Sequence, residues 1–477
     1  MGDVMRLVSG TGIAQIVMLC SAPILTRLYA PQLFGMAAMF TSFTGILCVI
    51  ACMRYELAIV LPDEDEDAAN LLALSLGFTI LMALLTVPLS IFAGPTILGW
   101  VRMPSLAPYM WLVPVVVLIN GVFNSLNYWN TRTKHFTRLS ISRVAGSLSA
   151  TSGTVGAALG GYATGGAMIG AQAAGQGIAT TVLGAQIWRD DHQFILSHLS
   201  CARMLRALKR YRKFALIDSW AGLLNMLSLQ LPVLLLGAFF SPVIVGLYAF
   251  GNRLLSLPMG LLGTAIGQAF FQRASVAKTG GGLAELVSKT IQQLFLIGFY
   301  PFMLLVLISP HLFVLLFGKE WQTAGVYVQI LAPWLLFQFI YSPISCLYWI
   351  FDKQEINVLF NVILTATRFL SLLTGGLMHN IELALALFTA SGILVYSIFG
   401  VYLMNLSGVN AGILSWEISK KMRLAVLFLV PVFFVNFFSG SAMLPGLSAA
   451  AVSATGFGSC LAYQSGKLAK LRKLIFR

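Results

Sequence analysis

The chain has 477 residues, 58% of them hydrophobic and only 10% charged. Soluble domains are roughly one-quarter charged, so a soluble globular fold is excluded. Lys and Arg number 30 against 16 Asp and Glu, a net charge of +14; in so apolar a chain that excess reports the sidedness of loops before it suggests nucleic acid.

A membrane-crossing helix takes about 20 residues, so the length allows on the order of 12 to 16 of them. Residues 1–29 contain Arg6 and a long apolar run without the small-residue cleavage pattern of a secretory signal, which predicts a retained first helix over 8–29. Further apolar runs bounded by Pro, Gly or charge follow at 34–54, 68–93, 107–129, 139–160, 164–187, 214–238, 243–271, 286–316, 324–350, 357–378, 381–404, 424–440 and 443–466. The runs are continuous rather than alternating, which excludes a transmembrane barrel and predicts an all-α polytopic fold of about fourteen transmembrane helices.

Segments after even-numbered helices carry Arg132, Lys134 and Arg138, then Arg203, Arg206, Lys209, Arg210, Arg212 and Lys213, then Lys278, then Lys420, Lys421 and Arg423. The tail adds Lys467, Lys470, Arg472, Lys473 and Arg477, whereas the opposite side holds little beyond Arg27, Arg102 and Lys319. The positive-inside rule then places both termini in the cytoplasm. Residues 195–213 set Leu199, Ala202, Leu205 and Leu208 opposite Arg203, Arg206, Lys209 and Arg210, the pattern of a basic amphipathic helix on an anionic inner leaflet.

Two echoes relate the halves. Ala30-Pro31-Gln32-Leu33-Phe34-Gly35 resembles Ser241-Pro242-Val243-Ile244-Val245-Gly246, and Leu126-Asn127-Tyr128-Trp129 resembles Cys346-Leu347-Tyr348-Trp349. The expected organisation is therefore a six-helix lobe over 1–190, a basic cytoplasmic linker over 191–213, a second six-helix lobe over 214–404, and two additional helices with a basic tail over 405–477.

Soluble-enzyme signatures are missing. No phosphate-binding loop occurs, and Gly175-Gln176-Gly177 lies inside an apolar helix with no strand before it, so no nucleotide cofactor is expected. The small residues crowding 145–184 predict close packing of the fifth and sixth helices. Asp63-Glu64-Asp65-Glu66-Asp67 contains overlapping DxD patterns, but as a calcium loop it has Ala68 where the turn glycine belongs and Leu74 where the closing Glu belongs. Its acids suit the start of the third helix. The five histidines and six cysteines are scattered without metal-ligand spacing, so no metal is expected.

Charges inside spans are informative, since each costs roughly 2.5–3.5 kcal/mol unless it faces water or a partner. Arg253 and Arg368 fall well inside helices, Arg27 and Arg54 at helix ends, and Arg143 one turn inside the fifth helix. These five cations point to a water-filled cavity for an anionic substrate, with phosphate the best match to the arginine fork. A structural pair or snorkelling is the alternative for each. Asp218 in the seventh helix either carries a coupling ion or pairs with a neighbouring Arg near the cytoplasmic face.

Several segments together resemble a known family. Leu25-Thr26-Arg27-Leu28-Tyr29 with Pro31 and Phe34-Gly35, then Arg54-Tyr55-Glu56-Leu57-Ala58-Ile59-Val60-Leu61-Pro62 and Ala68-Ala69-Asn70-Leu71, look like the opening of bacterial polysaccharide transporters of the Wzx type. Leu126–Trp129 with Arg132, Lys134, Phe136 and Ser142-Arg143, Leu229-Gln230-Leu231-Pro232, and the stretch from Phe317-Gly318 to Ser342-Pro343 continue the likeness, which covers residues 8–400 or so. The resemblance implies the multidrug/oligosaccharidyl-lipid/polysaccharide (MOP) flippase superfamily: two six-helix lobes working by alternating access in the bacterial inner membrane. It implies as cargo an undecaprenyl-diphosphate-linked oligosaccharide, an O-antigen or exopolysaccharide repeat unit, moved from cytoplasmic to periplasmic leaflet. A polysaccharide polymerase and a chain-length regulator would be its partners. Arg27, Arg54, Arg143, Arg253 and Arg368 would then meet the diphosphate, and the protein would be a transporter rather than an enzyme. A multidrug or cation antiporter of the same superfamily should show more acids within its spans. A membrane-embedded polymerase should show a sizeable external loop, whereas 94–106 is the longest candidate and holds no acid.

Overall fold

The computed structural model describes residues 2–100, 103–259, 264–438 and 443–475. Among them every regular element is helical: α1 (Gly2–Leu28), α2 (Pro31–Val49), α3 (Tyr55–Ala58), α4 (Asp65–Pro88), α5 (Gly94–Trp100), α6 (Leu112–Arg132), α7 (Phe136–Leu159), α8 (Gly165–Ser197), α9 (Cys201–Arg210) and α10 (Ser219–Phe239). Then come α11 (Pro242–Pro258), α12 (Thr264–Gly280), α13 (Leu283–Phe317), α14 (Gln322–Ile344), α15 (Leu347–Ile350), α16 (Gln354–Leu377), α17 (Ile381–Leu406), α18 (Ala411–Phe438) and α19 (Met443–Ile475). The expected apolar runs fall on the long helices, with two divided: the run at 243–271 is shared between α11 and α12, and the run at 324–350 between α14 and the short α15. Arg102 and Arg477 lie outside the described residues, as do the side chains of Lys467, Lys470, Arg472 and Lys473.

Nine helical stretches among the described residues are long and apolar enough to cross a membrane, and the protein is a multi-pass membrane protein. Neither α7 nor α8 is in that set, because Gly, Ala, Ser and Thr dilute their hydropathy. Those small residues act in packing instead. A Cβ at Gly146 would sit 2.7 Å from the Ala179 Cβ, and one at Gly175 would sit 2.6 Å from the Gly146 carbonyl oxygen. The two backbones approach as closely as small-residue membrane interfaces permit.

The chain forms two compact units, Met1–Phe250 and Gly251–Arg477. In the first, α7 packs on both α1 and α8, and α4 and α6 pack on each other. A buried polar seam of Cys52, Ser75, Thr79 and Ser125 ties α4 to α6. Helix α10 packs along α2, where Ser42 donates to the Gln230 amide oxygen at 2.8 Å. Helix α10 and the start of α11, which the sequence division at 214 gives to the second lobe, pack within this unit.

The echoed motifs meet one another. Pro31 and Pro242 open α2 and α11, a position where proline's missing N–H costs no helical bond. Gly35 and Gly246, the fifth residues of those helices, then cross backbone to backbone: a Cβ on Gly35 would fall 1.7 Å from the Pro242 oxygen, and one on Gly246 1.9 Å from the Pro31 oxygen. The Phe34 and Phe250 rings flank the crossing at 5.6 Å between centroids.

In the second unit α13 and α14 are joined by Ser309 donating to the Gly325 carbonyl and Gln329 to the Val306 carbonyl, at 2.9 and 2.7 Å. The added pair α18 and α19 docks on α13. Asn436 donates to the Leu307 carbonyl, Lys421 to the Gln292 amide oxygen, and the Tyr300 hydroxyl pairs with Ser453 while its ring stacks on Phe457.

Candidate functional site

The segment between α2 and α4 turns sharply. Met53 and Arg54 adopt φ of 49° and 61°, left-handed conformations that cost a non-glycine residue energy unless surrounding contacts hold them. Here the contacts are specific. The Arg54 Nε donates to Asp218 Oδ2 at 2.9 Å, and its Nη1 lies 3.9 Å from Glu56 Oε1. Asp218 ends a π-helical turn, Phe214–Asp218, that leads into α10. One turn on, Gly222 leaves room for the guanidinium: a Cβ there would lie 3.3 Å from Arg54 Cζ.

Glu56 is 4% exposed, and its Oε2 has no hydrogen-bond partner. Burial pushes its carboxyl up to about 7, opposed by its own backbone amide and by Arg54. Glu56 belongs to the short α3 and lies outside the spanning segments. Between Arg54 and Glu56, Tyr55 stacks on Phe78 and donates to the Leu208 carbonyl of α9 at 3.1 Å.

Arg54 and Glu56 stand at the wall of an open cavity of ≈ 380 Å³ lined by α2, α6, α8 and α10. The remaining polar lining is uncharged: Thr41 and Thr44 from α2, Asn120 and Asn124 from α6, and Gln172 and Gln176 from α8. Phe40, Ile169, Val116 and Met226 supply apolar surface between them. Each amide pair is spaced by four residues, which puts both members on one helix face.

Of the five arginines singled out in the sequence, Arg54 alone lines this cavity, and its charge is met by Asp218, with the buried Glu56 carboxyl 3.9 Å away. Arg27 is exposed near the end of α1, and Arg143 is half-buried on α7. In the second unit Arg253 is exposed on α11. Arg368 departs most from expectation: it is 7% exposed, with its guanidinium carbon 5.0 Å from the Trp334 ring centroid and 5.2 Å from that of Phe388. The guanidinium thus packs within cation–π range of two rings and hydrogen-bonds Tyr396. Asp218, read as an ion-coupling or pairing residue, pairs with Arg54.

Two acids of the run make ion pairs. Asp65 begins α4 and binds Arg132 at 2.8 Å, while Glu66 pairs with Arg203 and lies 3.6 Å from His198. Asn70 clamps the start of the linker, donating to the His198 carbonyl and accepting from the Ser200 amide, both at 2.9 Å. Arg203, expected on the solvent face of the amphipathic helix, thus turns inward to α4, and Ala207 is the buried contact of α9. No group of three or more metal-ligating side chains occurs among the described residues.

A family model described as "polysaccharide biosynthesis protein" matches residues 24–325. No protein of curated function matches the sequence. Among solved structures, the lipid II flippase MurJ in an inward closed conformation is similar with a TM-score of 0.72 at 11% identity, over 96% of this chain and 100% of that one. An inward-facing multidrug resistance MATE family transporter of the MOP superfamily gives 0.66 at 15% identity, over 85% and 98% of the two chains. A MOP superfamily transporter from Pyrococcus furiosus gives 0.56 at 15% identity, over 85% and 95%. The matched residues run from the end of α1 into α14, through every wall of the cavity, and on that footing the chain belongs to the polysaccharide biosynthesis protein family, built on the MOP superfamily fold.

Proposed function

We propose that this protein is a flippase that carries an undecaprenyl-diphosphate-linked oligosaccharide from the cytoplasmic to the periplasmic leaflet of the bacterial inner membrane by alternating access. The observation that carries the reading is a polar cavity among apolar membrane-spanning helices, within a family named for polysaccharide biosynthesis. A polar headgroup needs such a path because each unsatisfied polar group in hydrocarbon costs several kcal/mol, whereas a polyprenyl tail is soluble in lipid and stays there. Both termini lie in the cytoplasm on this reading, in accord with the basic loops. The diphosphate takes its counter-charge from arginines other than the paired Arg54, with the exposed Arg27 and Arg253 the candidates. Net transfer draws on an ion gradient or on withdrawal of product by a polymerase and chain-length regulator.

The test is the leaflet location of lipid-linked oligosaccharide in spheroplasts depleted of the protein, read with a membrane-impermeant sugar probe before and after permeabilisation. Complete units reachable only after permeabilisation are expected. Complete units already on the outer face place the defect after translocation and favour a polymerase. The buried Glu56 on the cavity wall is the one feature favouring a cation antiporter; drug sensitivity of the depleted strain without any change in lipid-linked sugar would establish that reading instead.

A further inference from the structure

Within the flippase reading, on which this rests, we infer that the cavity of the first unit is a recognition subsite for an uncharged, hydroxyl-rich sugar residue of the cargo, not for its diphosphate. Three helices each present two polar, uncharged side chains to one space: Thr41 and Thr44, Asn120 and Asn124, Gln172 and Gln176. The threonine hydroxyls donate back to the Ala37 and Phe40 carbonyls at 2.8 and 2.9 Å, which leaves their oxygens as acceptors. Asn120 donates to the Val116 carbonyl at 2.9 Å and keeps its amide oxygen, and Thr41 lies 3.4 Å from Gln172 Oε1. Asn124 and Gln176 make no side-chain hydrogen bond to protein among the described residues. Each of these two amides therefore offers two donors and one carbonyl acceptor to whatever fills the cavity.

That donor and acceptor mixture matches vicinal hydroxyls, which donate and accept at once. It does not match the alternatives. A diphosphate needs uncompensated cations, and the arginine on this wall is already met by Asp218 at 2.9 Å. A polyprenyl tail would strand six polar side chains against hydrocarbon. The volume, ≈ 380 Å³, falls within the usual range of small-molecule sites of roughly 300–1,000 Å³. Discrimination should be sharp, because an amide built to bond a sugar hydroxyl is left unpaired by a sugar that lacks it.

The experiment uses the full chain in nanodiscs and three probes: the neutral repeat-unit oligosaccharide released from its carrier by mild acid, undecaprenyl diphosphate without sugar, and ethidium. The free oligosaccharide is expected to bind with an affinity independent of salt, since no charge is involved. The double variant Asn124→Leu, Gln176→Met, which keeps side-chain length and helix, should weaken it about tenfold, as the loss of two hydrogen bonds implies. Binding of undecaprenyl diphosphate should be unchanged in the same variant, which also shows that it is folded; should the pair misfold, Gln176→Met alone carries the test through the same two probes. Equal oligosaccharide binding by variant and parent overturns the inference. So does binding of undecaprenyl diphosphate alone, with the flippase reading left standing. Ethidium binding that the double variant abolishes, with neither lipid nor sugar bound, overturns both.

Discussion

The crossing of α2 and α11 yields the sharpest prediction. An alanine at Gly35 would place its Cβ 1.7 Å from the Pro242 oxygen, and real Cβ contacts essentially never fall below 3.0 Å, so the two backbones must part by at least 1.3 Å. Neither partner is a side chain that can rotate away. Overpacking of this kind costs about 1–3 kcal/mol even where side chains can yield, which is about a 5- to 150-fold shift away from the crossed state. The assay replaces the native cysteines and introduces Phe34→Cys with Phe250→Cys, whose rings lie 5.6 Å apart between centroids, and follows disulfide formation under mild oxidant. Gly35→Ala should slow cross-linking by at least fivefold, and transport should fall with it. Gly246→Ala strains the reciprocal contact, 1.9 Å from the Pro31 oxygen, so the double variant should cost less than the sum of the singles, since one separation relieves both. Unchanged cross-linking in Gly35→Ala would refute the reasoning.

Glu56 makes stability depend on pH. Its folded carboxyl titrates at about 7 against 4.5 for the ordinary group, so between those values the folded state alone holds the proton. Stability therefore falls as pH rises through that window, by about 3 kcal/mol at most, and levels off above it; the melting temperature in detergent should drop from pH 5 to 8 for the parent and stay level for Glu56→Gln, and a flat parent profile would count against a buried, protonated Glu56. Arg368→Lys loses the planar stack on Trp334 and Phe388, a loss of about 1–2 kcal/mol. It should lower the melting temperature while transport per folded molecule holds, and reduced transport at unchanged melting temperature would make Arg368 a substrate contact instead. Arg132 donates to the Ile59, Pro62 and Asp63 carbonyls and to Asp65, at 2.7–3.3 Å. Lysine cannot span four acceptors, so Arg132→Lys should expose residues 59–65 to protease nearly as much as Arg132→Ala, and full protection in the lysine variant would show that charge alone suffices.

The helices were legible because a membrane span is a compositional statement: a long apolar run needs no knowledge of its neighbours. Small residues over 145–184 likewise announced the Gly146–Gly175 approach, and the Pro31 and Pro242 echoes marked two helix starts. That these echoes touch could not be read, since contact between distant segments leaves no mark in either. The surroundings of the arginines were hidden for a related reason. Trp334 and Phe388 belong to helices other than that of Arg368, so the sequence showed a charge in a span but not the rings that cover it. Asp218 was readable as a partner for some arginine, but not for Arg54, whose left-handed backbone aims the guanidinium at α10. The amides of the cavity carried a signal that a search for formal charge passes over: Asn120 with Asn124 and Gln172 with Gln176, polar pairs four residues apart inside apolar runs.

Net charge and cavity charge obey different rules in such a protein. A cation within a span is costly unless it meets a partner. Arg54 faces Asp218, and Arg368 packs on Trp334 and Phe388; at the helix ends Arg138 is bound by Asp190 and Asp191 at 2.8 and 3.2 Å, and Arg132 meets Asp65. Even Asp191 is held a second time, by the Trp129 indole N–H at 3.0 Å. The surplus of +14 accumulates where water screens it, in loops whose sign orients the chain across the membrane. The Asn and Gln pairs of α6 and α8 are polar without being ionised, so the cavity they line is poor in net charge although the chain as a whole is strongly basic.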